Sequence, residues 1–356
     1  MNNNKSIKAM FLYTELAAYN QACFNTAIKR GNDIYIIRYP INSEAPYDFN
    51  NKLTSVKLRT DFDTADSIIT HIREISPDII IVSGWKDKGY LKVASYFYNK
   101  IPTVLAFDNK WKGNIKQQLS RLLSSKLLLN KFSHAWVPGK KQEQFALKLG
   151  FSPNKIIKYF YSCDYDNYHN IYKTTYKKET KNYPKAFLFI GRYIKSKGIF
   201  ELWKAFVELC DNNNNNNNWK LICVGTGEDW ENRTIHKNIS HLNFVQAKDM
   251  LDVYKKSGVY VMPSLSEPWG VSLHEAASAG LPVITTKNVG ASEIFLKENI
   301  NGFSIKAGSS EEILKAMIKF TKMNDEQLLQ MSKESVNLSK KITPDIWVDK
   351  LMSIKL

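Results

Sequence analysis

The chain has 356 residues, 44% hydrophobic and 24% charged, and a formal net charge of +16. That length and apolar content predict two domains, while no run approaches the roughly 20 consecutive apolar residues that a membrane span needs. The start MNNNKSIKAMFLY leads straight into a strand pattern with no signal-peptide core, so a cytoplasmic protein is expected. Cys23, Cys163, Cys210 and Cys223 lack Cys-x-x-Cys spacing, which argues against a zinc site or a disulfide framework and predicts reduced, buried thiols. The charge is concentrated. Residues 1–170 hold 24 Lys/Arg against 14 Asp/Glu, and residues 110–158 hold 11 against 1. Such an excess fits nucleic acid, anionic lipid headgroups or phosphorylated substrates, or else a solvated lysine-rich surface.

In chain order, apolar runs alternate with helical patterns. IKAMFLY precedes a helix over 15–30; DIYIIRY follows; a helix near 64–75 leads to DIIIVSG; then come IPTVLAFD and HAWVPG. A second series runs KAFLFIG, WKLICVG, LNFVQA, GVYVMPS and LPVITT, again with helices between. Strand and helix alternating this often predict parallel α/β layers, twice over. The Tyr-, Lys- and Asn-rich stretch between the series marks the junction, with domains at 1–165 and 185–340 and a linker over 166–184. The asparagine run DNNNNNNNW, 211–219, reads as an exposed disordered loop. The tail over 341–356 contains an amphipathic helix from near Pro344, with Ile346, Trp347, Leu351 and Ile354 on one side; it could pack on either domain, including back onto the first.

Three stretches of the second half carry chemistry. In FIGRYIKSKG a strand ends at Gly191, and Arg192 and Lys197 follow beside a helix entry, where cations and free N–H groups together attract an anion. VGTGED places Gly225 in a turn after the next strand. In SEPWGVSLHEAASAGLP, Pro268 and Gly270 make a turn, a helix begins at Val271 and Gly280 closes it. Glu267 then sits on the entry loop and Glu275 about a turn inside the helix, and the N–H groups of Gly270, Val271, Ser272 and Leu273 are free at the helix start. All three stretches lie at carboxyl ends of parallel strands, the ligand-binding edge of open α/β sheets, and outline one pocket.

These stretches, with VGASEIFLKENINGFSI in the same order and spacing, resemble the C-terminal donor domain of retaining glycosyltransferase family 4. The resemblance covers roughly 185–340 and implies the GT-B fold, two Rossmann-like domains with parallel sheets facing a cleft. It also implies transfer of a sugar from a UDP- or GDP-sugar to a glycan or lipid-linked acceptor in cell-surface polysaccharide or lipopolysaccharide synthesis. By the same resemblance Arg192 and Lys197 hold the donor diphosphate, Glu267 meets the transferred sugar, Glu275 accepts hydrogen bonds from the ribose, and backbone near Val245 to Ala247 holds the base. No cofactor or metal is then expected, since cations and backbone donors stabilise the leaving group. DFD (61–63) and DYD (164–166) look like a metal-binding DxD, but neither follows a nucleotide-binding strand pattern.

The first half departs from the family pattern. No glycine follows its first strand until Gly31, and Asp108 stands where many members have a histidine. An acceptor pocket is therefore expected from SGWKDKG and FDNKWKG, with Trp85 and Trp111 as flat faces for a sugar ring and Lys88 and Asp108 beside them; ordinary packing of both indoles is the alternative. His274 is expected to pack or hydrogen-bond rather than react. Within the basic segment, Ile115, Leu119, Leu122, Leu123 and Leu127 form a helical stripe bordered by Lys116, Arg121, Lys126 and Lys131. It predicts either a core-facing helix or an anionic membrane contact. The competing classes are a GT-B epimerase or phosphorylase, a sugar-binding protein without catalysis, and a basic nucleic-acid-binding protein, the last lacking any recognised module.

Overall fold

Successive side chains of a strand point to opposite faces, and the first strand shows both faces covered. Met10 and Leu12 enter one apolar cluster with Ile68, Ile72, Val93 and Phe145. Ala9, Phe11 and Tyr13 enter another with Cys23, Phe24 and Ala27. The computed structural model describes residues 6–41, 47, 55–176, 182–211 and 218–356. The asparagine run at 212–217 and linker residues 177–181 lie outside the described residues.

The first unit runs β1 (Lys8–Tyr13), α1 (Ala18–Lys29), β2 (Asp33–Arg38), β3 (Ser55–Leu58), α2 (Ala65–Ile75), β4 (Ile79–Ser83), α3 (Lys88–Phe97), β5 (Thr103–Ala106), α4 (Ile115–Leu127), β6 (His134–Trp136), α5 (Lys140–Lys148) and β7 (Ile156–Ile157). Helix starts follow local chemistry: Thr64 caps α2 and Asp87 caps α3 by accepting from Ser67 and Tyr90 backbone N–H groups. The strands are all parallel, in the order β3-β2-β1-β4-β5-β6-β7.

The second unit runs α6 (Tyr165–Ile171), β8 (Ala186–Ile190), α7 (Ile199–Asp211), β9 (Lys220–Val224), β10 (Ile239–Leu242), α8 (Ala247–Lys255), β11 (Val259–Met262), α9 (Val271–Ser278), β12 (Val283–Thr286), α10 (Ser292–Phe295), β13 (Gly302–Ile305), α11 (Ser310–Thr321) and α12 (Asp325–Ser339). Its six strands are parallel in the order β10-β9-β8-β11-β12-β13. The last helix, α13 (Pro344–Met352), packs against α1 and completes the first unit.

Several details differ from the sequence reading. The units divide at Cys163 and Asp164, and the chain returns to the first at Pro344. The stretch read as a plain linker contains α6 and a π-helical turn over Tyr172–Tyr176, anchored by buried Tyr168 and Tyr176. The strand expected in LNFVQA lies earlier: β10 pairs with β9 from Ile239 opposite Leu221 to Leu242 opposite Val224, and 243–246 is loop. Strands β3 and β7 lie in stretches that the sequence reading did not single out, and β13 ends VGASEIFLKENINGFSI, which was read as a motif and not as a strand.

Candidate functional site

The order of the second sheet creates the site. β8 and β11 are neighbours, yet the chain leaves β8 toward β9 and leaves β11 toward β12, on opposite sides. Diverging connections open a crevice at the carboxyl ends of such strands. Arg192 and Lys197 stand on the loop after β8, and Glu267 and Gly270 on the loop after β11, so the two loops flank that crevice.

Backbone contacts stitch the loops together. The Leu265 N–H donates to the Ser196 carbonyl at 2.9 Å, and the Tyr193 N–H donates to the Thr226 carbonyl at 2.8 Å. Two glycines make the approach possible. At Gly198, with φ +69°, a Cβ would lie 2.3 Å from the Pro263 carbonyl oxygen; at Gly225, with φ +130°, it would lie 2.2 Å from that of Gly191. Backbone at those distances cannot yield, and the dihedrals also disfavour other residues. Gly198, at the end of GRYIKSKG, and Gly225, in VGTGED, are therefore the joints between the three loops.

Within this frame the Lys197 ammonium donates to the Glu267 carboxylate in a close ion pair, the side chains 20% and 12% exposed. Glu267 is held by its backbone: its N–H donates to the Asn288 carbonyl at 3.3 Å, and its carbonyl accepts from Gly290 at 3.2 Å. Asn288 in turn donates through Nδ2 to the Leu265 carbonyl at 2.8 Å. Arg192 is exposed on the same loop as Lys197. Gly270 is the N-cap of α9. One expected donor is already used, because the Leu273 N–H bonds to the Gly270 carbonyl at 3.1 Å. Val271 and Ser272, in the first turn, have N–H groups without an intrahelical acceptor, and the Ser272 hydroxyl accepts from Tyr260 at 2.7 Å.

Glu275, half-buried on α9, accepts a hydrogen bond from the Tyr254 hydroxyl at 3.1 Å. Burial raises its pKa from 4.5 to about 7; hydrogen bonds from Tyr254 and Tyr168 oppose that rise, and the charge of Asp164 adds to it. A carboxyl whose pKa is raised on folding contributes stability that is fully present below about pH 4.5 and lost as pH rises through about 7. We expect Glu275→Gln to flatten the pH dependence of stability across that window, removing a slope with an upper bound of about 3 kcal/mol. Urea titrations at half-unit pH steps, followed by the hydrogen-exchange protection of second-unit amides, check this; an unchanged slope would mean that Glu275 is ionised throughout.

His274 is buried, its ring stacked on Phe295 with centroids 4.2 Å apart and Nε2 at 3.2 Å from the Ser339 carbonyl. Burial holds its pKa down at about 4. Val245 and Ala247 are half-buried where the chain passes from β10 into α8. In the first unit Trp85 and Trp111 both pack against the core, Trp85 edge-on to Phe107 at 5.4 Å and Trp111 at 5.6 Å from Phe145. Lys148 lies 5.1 Å from the centre of the Trp111 ring. Asp108 accepts from the Tyr161 hydroxyl at 3.4 Å, and Lys88 is exposed at the first residue of α3. Among the described residues no three His, Cys, Asp or Glu side chains are grouped to hold a metal ion.

The sequence reading missed Tyr168, Tyr254 and Asn288. The two tyrosines lie in unrelated stretches and meet Glu275 only in the fold; Asn288 adjoins a quoted motif but shows no pattern of its own.

Residues 173–337 match the family model Glycosyl transferases group 1, so the second unit carries a domain of that kind. An uncharacterized glycosyltransferase of Methanocaldococcus jannaschii is 32% identical over 136 residues, 36% of this chain and 34% of that protein, so the chain spans about a third of that relative's length. The alpha-monoglucosyldiacylglycerol synthase of Acholeplasma laidlawii is 23% identical over 307 residues, 78% of this chain and 75% of that one. Among solved structures, Anabaena HepE in complex with UDP and glucose superposes with a TM-score of 0.71 at 15% identity, over 97% of this chain and 98% of that chain. The fold is GT-B, two Rossmann-like units with parallel sheets.

Proposed function

We propose that this chain is a glycosyltransferase that moves a sugar from a nucleoside diphosphate donor, UDP- or GDP-linked, to a glycan or lipid-linked acceptor, with retention of configuration and without a metal, in the manner of glycosyltransferase family 4. The observation that carries the reading is the Lys197–Glu267 pair beside the start of α9, with Arg192 on the same loop. Two cations and the free N–H groups of a helix N-terminus suit a diphosphate, whose negative charge grows as the sugar–oxygen bond breaks. Glu267, on the adjoining loop, is the carboxylate for the transferred sugar, where positive charge develops.

Glu275 is the ribose acceptor in this reading, and Tyr254 and Tyr168 hold its carboxylate for the purpose. The structural relative bound to UDP and the relative named for a glucosylated lipid fit such a donor and such an acceptor. A role in cell-surface polysaccharide or lipopolysaccharide assembly, in the cytoplasm, completes the proposal.

A panel of nucleotide-sugars tests it, scored first by donor hydrolysis and then with acceptors. An α-linked donor is expected to give an α-linked product by proton NMR, and a chelator is expected to leave the rate unchanged. An inverted first product, or strict dependence on added Mn²⁺ or Mg²⁺, would overturn the mechanism.

A further inference from the structure

Helix α4 is turned inside out. Its apolar stripe, the one that the sequence left open between the core and a membrane, faces solvent: Ile115 is 80% exposed, Leu122 75%, Leu119 53%, Leu127 51% and Leu123 49%. The opposite face is polar and is the one that approaches the domain. Ser124 is buried and Gln117 and Ser120 are half-buried.

That inner face is satisfied locally. The Ser124 hydroxyl donates to the Arg121 carbonyl at 2.8 Å, the Ser120 hydroxyl to that of Lys116 at 2.9 Å, and Gln117 Nε2 to that of Lys110 at 2.9 Å. Asn114 caps the helix by accepting from the Gln117 N–H at 3.0 Å. The core-facing reading is therefore corrected. Serine and glutamine meet the domain, and five large apolar side chains are left to water, which no monomer's own core explains.

We infer that α4 is an interfacial helix that lies in the surface of an anionic lipid bilayer. Charge selects this occupant over the others. Residues 109–142 contain no Asp or Glu, and among the described residues Lys116, Arg121 and Lys126, all exposed, form no ion pair with a carboxylate. A second copy meeting this face about a two-fold axis would set these cations against their own kind. Anionic headgroups neutralise them, while the acyl boundary takes the leucines. Lys126 shares the apolar face, and its long aliphatic stem lets the ammonium reach the headgroups.

Thirteen helical residues, 115 to 127, extend about 20 Å, too short to span a bilayer and suited to lying in its plane. The proposal concerns attachment of the first unit and goes beyond the transfer reaction.

The test is flotation of the full chain, with no donor or acceptor present, on vesicles of phosphatidylcholine alone or mixed with phosphatidylglycerol. Its failure and the failure of the transfer reading are thus separate results. Binding is expected only with phosphatidylglycerol and is expected to weaken with salt. Leu119→Gln, Leu122→Gln and Leu123→Gln together are expected to lower partitioning at least about tenfold, since each removes buried apolar area from the acyl boundary. Lys116→Gln, Arg121→Gln and Lys126→Gln together are expected to remove the salt dependence. All six side chains are exposed, so circular dichroism should match the parent in both variants. Equal flotation with neutral vesicles, no flotation with either, flotation unaffected by the leucine changes, or a lipid-free dimer dispersed by them would each overturn the inference.

Discussion

Replacing Lys197 or Arg192 by alanine is expected to lower turnover at saturating donor by about 100-fold or more, roughly 2.7 kcal/mol of transition-state stabilisation for each cation. The leaving diphosphate gains charge as the sugar departs, so a fixed cation beside it is worth more in the transition state than in the bound donor. The two substitutions differ in the free protein. Arg192 is exposed, whereas Lys197 is the counter-ion of a Glu267 side chain only 12% exposed. Removing Lys197 alone leaves that carboxylate covered and without its cation, a change that destabilises by itself. A second variant separates the two effects: in Lys197→Met combined with Glu267→Gln neither charge remains, so the thermal midpoint should return toward the parent value while turnover stays low. Near-parental turnover in both single variants would remove the diphosphate assignment and with it the proposed reaction.

Trp347→Ala is expected to cost the first unit about 4 kcal/mol, the scale for deleting a large buried aromatic side chain. Trp347 is 2% exposed, stacked on Trp136 with centroids 5.0 Å apart and on Phe11 at 5.9 Å. Its indole N–H donates to the Phe160 carbonyl at 2.9 Å, an acceptor that alanine would leave unsatisfied. Around it, Arg30 pairs with Asp349 at 2.7 Å, which fixes α13 against α1. Two-unit chains seldom unfold in one step, so the readout is native-state hydrogen exchange, resolved by segment. Amides of β1 and β4 should lose protection by the stated amount, while those of β8 and β11 keep theirs. Unchanged exchange in β1 would mean that the tail contributes nothing to the first unit's stability.

The central strands and the loops of the candidate site were legible because their signals are local. A strand buried on both faces must be a continuous apolar run, as in DIIIVSG and KAFLFIG, and the loop after β8 carries its glycine and its cations within a few residues, as in GRYIKSKG. The edge strands β3, β7 and β10 were missed or misplaced for the complementary reason. An edge has one neighbour and partial exposure, so SVKL or ISHL needs no apolar run. Pairing with an adjacent strand decides it. Other features depended on contacts between residues far apart in the chain, which no short spacing encodes: Lys197 meets Glu267, Tyr168 and Tyr254 meet Glu275, and the tail returns to place Trp347 on Trp136. Helix α4 shows the boundary between the two kinds of information. Its periodicity determines that a helix forms and that Ile115, Leu119, Leu122, Leu123 and Leu127 share a stripe, but amphipathicity is symmetric with respect to inside and outside. Only the fold, by packing Ser124 against the domain and leaving the leucines in water, decides which way the stripe faces.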